Sequence, residues 1–207
     1  MLSKVFYAIA ASVMMLTQLA HGAPLTSDAP IKGYSLFEVE WQLPIDPKNP
    51  DGKLVTVTGT IQEAVAKMDA AYPGWNATFV STLTPVKPGS RLDAAYERDH
   101  YICNPNDGHD YASPSVIYEG IKYLRGLTSD APQNAPNSCG RVSCSHNSGI
   151  WWCNTNNFEK QVTWKEIGDS AYFLAYECSV YNDMTWLTAG QEFFKDNWSV
   201  YVTSANC

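Results

Sequence analysis

Hydrophobic residues along this chain first alternate with polar ones and then gather into stripes. Residues 36–43 read Leu-Phe-Glu-Val-Glu-Trp-Gln-Leu, setting Phe37, Val39 and Trp41 against Glu38, Glu40 and Gln42. That is the period of a strand with one wet face. A turn-rich stretch over 44–52 leads to Leu54-Val55-Thr56-Val57-Thr58, which resumes strand character. A helix is then expected over 61–71, opened by Thr60 and Glu63 in capping-box spacing and stopped by Tyr72-Pro73-Gly74. Residues 75–83 are rich in β-branched side chains and read as a third strand.

Residues 84–98 mix Pro85, Pro88, Gly89 and charges, the composition of a linker. Beyond it, Tyr101-Ile102-Cys103 is extended. Ser113 and Pro114 then mark the start of a helix striped by Val116, Ile117, Ile121, Leu124 and Leu127, with Gly126 as its C-terminal cap. Residues 141–154 form an expected hairpin turning at Asn147-Ser148-Gly149. Thr163 and Glu166 open a second capped helix over 164–178 that carries Ile167, Ala171, Leu174 and Cys178 on one face, and residues 198–202 close as a strand.

The fold class is therefore α+β. A β-α-β-β-α-β antiparallel sandwich over 99–207, with both helices on one face, follows a cysteine-free β-β-α-β segment over 23–98. This segment is a candidate propeptide, released near Arg98, because exposed linkers of such composition are where proteases act.

Cysteine usage sharpens that division. Cys103, Cys139, Cys144, Cys153, Cys178 and Cys207 all lie in the second part. Residues 1–22 read as a secretory signal peptide: Lys4, an apolar run over 5–19, and Ala20 and Gly22 at the exit. The run is shorter than the roughly 20 residues of a membrane span, so no stable membrane anchor is expected. Six cysteines in an exported chain imply a disulfide framework, and their spacing does not suit zinc. Fifteen pairings remain open; Cys178 and Cys207, at a helix end and just past the last strand, are the pair expected to meet. Asn76-Ala77-Thr78 and Asn197-Trp198-Ser199 are N-glycosylation acceptors, the first the better of the two.

The net charge is −7. The leader removes Lys4 and no acid, so 14 basic residues fall to 13 against 21 acids, leaving −8. Only Lys122, Arg125, Arg141, Lys160, Lys165 and Lys195 are cationic from residue 99 onward. That balance excludes a phosphate-tracking face, so no nucleic acid is expected as partner. It also excludes charge-driven attachment to anionic lipid.

The most distinctive stretch is residues 137–154, with Asn137-Ser138-Cys139-Gly140-Arg141-Val142-Ser143-Cys144-Ser145 and Ile150-Trp151-Trp152-Cys153-Asn154 at its two ends. It resembles the NCGRVSCS…IWWCN signature of a group of small cysteine-bearing secreted proteins of ascomycete fungi, mostly candidate effectors. Glu119-Gly120-Ile121-Lys122-Tyr123-Leu124-Arg125-Gly126-Leu127 and the stretch from Phe194 to the terminal Cys207 fit the same group. The element order is also similar to the α/β-sandwich of the smut-fungus killer toxins, although the acidic balance departs from their basic character. The resemblance implies an extracellular effector or virulence-type protein that binds a protein of a host or competitor.

Enzyme chemistry has little to stand on. The histidines past the leader are His100, His109 and His146, and Asp107-Gly108-His109-Asp110 reads as an exposed turn. His146 with Glu119 and Glu177 would be the set a small secreted ribonuclease needs, and a hydrolase of that kind is the alternative; a killer-type toxin is the third reading. No G-x-S-x-G, H-E-x-x-H or phosphate-binding glycine pattern occurs. We expect no catalytic residue, metal or cofactor. Trp151 and Trp152 point to opposite sides of a strand, so at most one is expected in the core. With Arg141 and His146 they form the candidate binding set.

Overall fold

The computed structural model describes residues 29–83, 97–104, 110–127 and 130–207. The leader, most of the 84–98 boundary and His109 lie outside them. The fold is α+β, built on a six-stranded mixed sheet with three disulfides.

The strand expected over 36–43 is broken in two. β1 (Ser35–Phe37) joins the main sheet, while β2 (Glu40–Pro44) pairs antiparallel with β3 (Leu54–Thr58) in a separate ribbon. Both halves serve the core: Phe37 of β1 packs against it half-buried, and Val39, between the strands, and Trp41 and Leu43 of β2 are buried. Helix α1 (Ile61–Ala71) starts at the expected capping box. The Thr60 N–H donates to the Glu63 carboxylate at 2.7 Å and holds its pKa below the usual range.

Residues 75–83 are not a strand. Pro73-Gly74 turns the chain directly into a second helix, α2 (Trp75–Thr82), with Gly74 at a φ of 87°. Trp75, Phe79 and Leu83 are buried at a spacing of four residues, so the helical period wins over β-branched propensity. The Thr78, Ser81 and Thr82 hydroxyls donate back to carbonyls within the turn instead of competing for an extended backbone. The cysteine-free part is thus β-β-β-α-α.

The remaining elements are β4 (Arg98–Cys103), α3 (Pro114–Gly126), β5 (Ser138–Ser145), β6 (Ser148–Asn154), α4 (Trp164–Glu177), β7 (Ser179–Asn182), β8 (Thr185–Thr188), β9 (Gly190–Phe194) and β10 (Trp198–Ser204). The main sheet runs β1-β5-β6-β10-β9-β4. Its pairings are antiparallel except for β1, which lies parallel to β5 with Ser35 beside Ser138. The expected all-antiparallel sheet therefore becomes mixed, and three strands, β7, β8 and β9, are additional to the expected order.

Helices α3 and α4 pack against each other and on the sheet. Gly126 ends α3 but is not a left-handed cap. Its role is close approach, since a Cβ there would meet Leu83 Cδ2 at 2.0 Å. One apolar cluster runs from Trp41, Met68 and Phe79 to Ile117, Leu124, Trp152, Trp164 and Val200, so both parts of the chain share a core. Trp41 lies stacked on Trp164 with ring centroids 4.1 Å apart, and its indole N–H donates to the Gly59 carbonyl at 2.8 Å. The opposite sheet face is covered by Ala29, Ile31 and Tyr34 over Cys139, Trp151, Cys153 and Tyr201.

All six cysteines pair as expected, but not Cys178 with Cys207. Cys103 bonds Cys178, Cys139 bonds Cys153 across β5 and β6, and Cys144 bonds Cys207. The end of α4 faces edge strand β4, whereas the tail beyond β10 returns over β5. Arg141 donates to the Asn206 carbonyl there at 2.5 Å.

Candidate functional site

Residues 179–188 read Ser-Val-Tyr-Asn-Asp-Met-Thr-Trp-Leu-Thr, two β-prone runs separated by turn formers. They fold as the β7–β8 hairpin, with Tyr181 opposite Trp186 and their rings 5.4 Å apart. Asp183 and Met184 form the loop at φ values of 46° and 65°, as a two-residue turn of matching twist requires.

The base of the hairpin is fixed. Ser179 Oγ donates to the Ala175 carbonyl at 2.6 Å, Thr188 exchanges backbone hydrogen bonds with Ala112, and Cys178 is tied to Cys103. Its outer part is not buried. Met184 is 90% exposed, Tyr181 63%, Trp186 58% and Val180 45%, and Tyr176 at the end of α4 is 61% exposed. Alongside lies a groove of about 580 Å³ between the first turn of α3, the last turn of α4 and the hairpin, lined by Pro114, Tyr118, Ala175, Tyr176, Met184 and Trp186 among others. Its volume falls in the range of about 300–1,000 Å³ usual for ligand clefts.

The four residues proposed from sequence do not form a site together. Trp152 is fully buried in the main core, and Trp151 is 3% exposed beneath the N-terminal stretch on the other face. Both are therefore internal, contrary to the expectation that at most one would be, because the second face is covered as well. Arg141 lies over the Trp151 ring at 5.3 Å and reaches the C-terminal tail. His146 is exposed at the β5–β6 turn, at a φ of 43°, with its Nδ1 2.8 Å from Ser145 Oγ. Here the turn is His146-Asn147 and not Asn147-Ser148-Gly149.

The set weighed for hydrolysis is likewise scattered. Glu119 and Glu177 are exposed on α3 and α4, and among the described residues no ion pair joins either of them to His146, whose ring nitrogen meets Ser145 instead. Asn197 is exposed in the β9–β10 turn, where a glycan would disturb no packing. Asn76 sits in the first turn of α2 with its Oδ1 buried, so of the two acceptors the second is sterically the freer.

Two buried carboxylates are used to hold elements together. Asp169 accepts from Arg125 and Lys165, each at 2.6 Å, clamping α4 to α3. Glu192 on β9 is 1% exposed between Ser170 of α4, which donates at 2.5 Å, and Arg98 of β4. The Arg98 guanidinium also lies 3.7 Å from the Phe173 ring centre. Burial pushes the Glu192 pKa up against the lowering pull of Ser170 and Arg98.

A group raised in the folded state favours folding below its unfolded pKa, about 4.3 for glutamate, and that contribution is lost as pH rises through the folded value. The stability advantage of the native chain over Glu192→Gln is therefore expected to shrink between pH 4 and pH 7. Urea unfolding of both proteins at the two pH values checks this, and an advantage that grows with pH would contradict it.

Comparison with family models, curated proteins and solved structures yields no match to this chain. Among the described residues, no helix is long and apolar enough to cross a membrane, and no cluster of three potential metal ligands occurs.

Proposed function

We propose that this chain is a secreted interaction protein, a candidate fungal effector that binds a protein of a host or competitor and acts without turnover. The observation that carries the reading is the set of exposed apolar side chains on the β7–β8 hairpin and the end of α4, beside a preformed groove. Aromatic and methionine side chains gathered on a rigid support are the usual anchors of protein interfaces. Three disulfides suit an oxidising compartment. The fungal and host-directed setting rests on the resemblance of residues 137–154.

The test compares capture of host-extract proteins by the full disulfide-bonded chain and by Tyr181→Ala/Trp186→Ala. A partner that the native chain retains and the double variant loses is expected. Cleavage of RNA by the native chain, abolished in His146→Ala, would instead establish the hydrolase reading.

A further inference from the structure

We propose that the groove beside the β7–β8 hairpin takes an apolar protein segment flanked by lysine or arginine. This rests on the reading of the hairpin as the contact surface and adds the chemistry of what it contacts.

The first argument is Met184. It stands 90% exposed at a left-handed turn position where glycine is preferred, so neither packing nor backbone preference accounts for it. A large flexible side chain at such a position is available to something outside the fold, and methionine adapts to irregular apolar partners.

Charge supplies the second argument. From 176 to 189 the chain holds Glu177 and Asp183 and no lysine or arginine. Glu119 lies one turn beyond Ser115, a groove residue, on the same stripe of α3. All three are exposed, and none is in an ion pair among the described residues. By contrast, Arg98, Arg125, Lys160 and Lys165 are each paired with an acid. Lys122, three residues past Glu119 on α3 and only partly exposed, is the nearest cation and offsets Glu119 in part, whereas Glu177 and Asp183 have no cation near them in sequence. An apolar groove bordered by the unpaired carboxylates of Glu177 and Asp183 attracts cationic flanks and repels nucleic acid, anionic lipid and acidic peptides.

Fluorescence anisotropy with two synthetic peptides tests this, one with a Leu-Trp-Leu-Leu centre between lysine triplets, the other with glutamates in place of the lysines. The lysine peptide is expected to bind at least about tenfold more tightly, with the difference reduced by salt. Met184→Gly, which the turn accommodates without strain, and Trp186→Ala are each expected to weaken it about tenfold. Asp183→Lys is expected to weaken it as well. Glu40→Lys makes the same charge change beyond the other end of α4, where Trp41 meets Trp164, and is expected to leave binding unchanged.

Equal binding of the two peptides, or an equal loss in Glu40→Lys and Asp183→Lys, would overturn the assignment of a basic-flanked segment; the hairpin would remain the contact surface if Trp186→Ala still weakened binding. No effect of Met184→Gly or Trp186→Ala would overturn both readings. Association with phosphatidylcholine vesicles that Met184→Gly abolishes, without peptide binding, would replace a protein partner by a membrane.

Discussion

Replacing Trp41 with alanine is expected to cost about 3–5 kcal/mol of folding stability, the range for removing a buried aromatic from a close-packed core. Trp41 is fully buried, stacked on Trp164, and its indole N–H is spent on the Gly59 carbonyl. The substitution therefore opens a cavity, exposes the Trp164 ring to it and leaves a carbonyl without its donor. Because Trp41 belongs to the cysteine-free part and Trp164 to the disulfide-bonded part, the pair also reports whether the two unfold together. Trp164→Ala alone should cost a similar amount, and the double variant less than the sum, with a coupling of about 0.5–1.5 kcal/mol from the ring contact. Urea unfolding followed by tryptophan fluorescence and far-UV circular dichroism measures all three. Additive losses with two separate transitions would contradict a shared core.

Removing the Cys103–Cys178 bond by a double alanine substitution is expected to destabilise by about 4.5 kcal/mol, the largest loss of the three bridges. The chain-entropy argument scales with the loop closed, and sequence separations of 75, 63 and 14 residues rank Cys103–Cys178 first, Cys144–Cys207 close behind and Cys139–Cys153 last, at about 3 kcal/mol. Geometry reinforces the order. Cys103 ends an edge strand whose six residues are all exposed and which is held by its ladder with β9, the Arg98–Glu192 pair, ring contacts of Arg98 and Tyr101 with Phe173 and of His100 with Phe193, and this bond, with no buried side chain of its own. Cys139 and Cys153 lie on strands already paired to each other. Thermal unfolding of the three double variants tests the ranking, and a greater loss on removing Cys139–Cys153 would reverse it.

Much of the fold was legible because its signals are local. Thr60 with Glu63 and Thr163 with Glu166 fix two helix starts within four residues each, and Pro114 fixes a third. What was not legible depends on distant partners. The alternation over 36–43 is continuous in sequence, but Phe37 follows β5 while Trp41 follows β3. Residues 75–83 carry both β-branched side chains and a four-residue apolar spacing, and the stacking of Phe79 on Tyr123 with the Trp75 indole donating to the Pro44 carbonyl decides for the helix. The cysteine framework was evident from count and context, yet which thiols meet depends on where the tail lies after β10.

The candidate site was less legible for a similar reason. Trp151 and Trp152 stand out in sequence, and Ala29, Ile31 and Tyr34, more than a hundred residues away, complete the burial of the first. Tyr181 and Trp186 look like ordinary strand aromatics, and the fold leaves them outside. The turn formers Asn182 and Asp183 between two β-prone runs were the available signal for their hairpin, whose loop is Asp183-Met184.

The sheet order has a kinetic corollary. β1 must find β5, and β4 must find β9, across long stretches of intervening chain, while Cys207 closes a bridge to Cys144 over a sequence separation of 63. Long-range pairings of this kind delay folding, because loop-closure entropy is lost before the contacts that offset it are made. The native sheet cannot be completed while the chain is still emerging N-terminus first. The apolar faces of β2, β3 and α1 stay uncovered until α3, β5 and Trp164 of α4 have emerged, and the Cys144–Cys207 bridge can form only after residue 207 has followed.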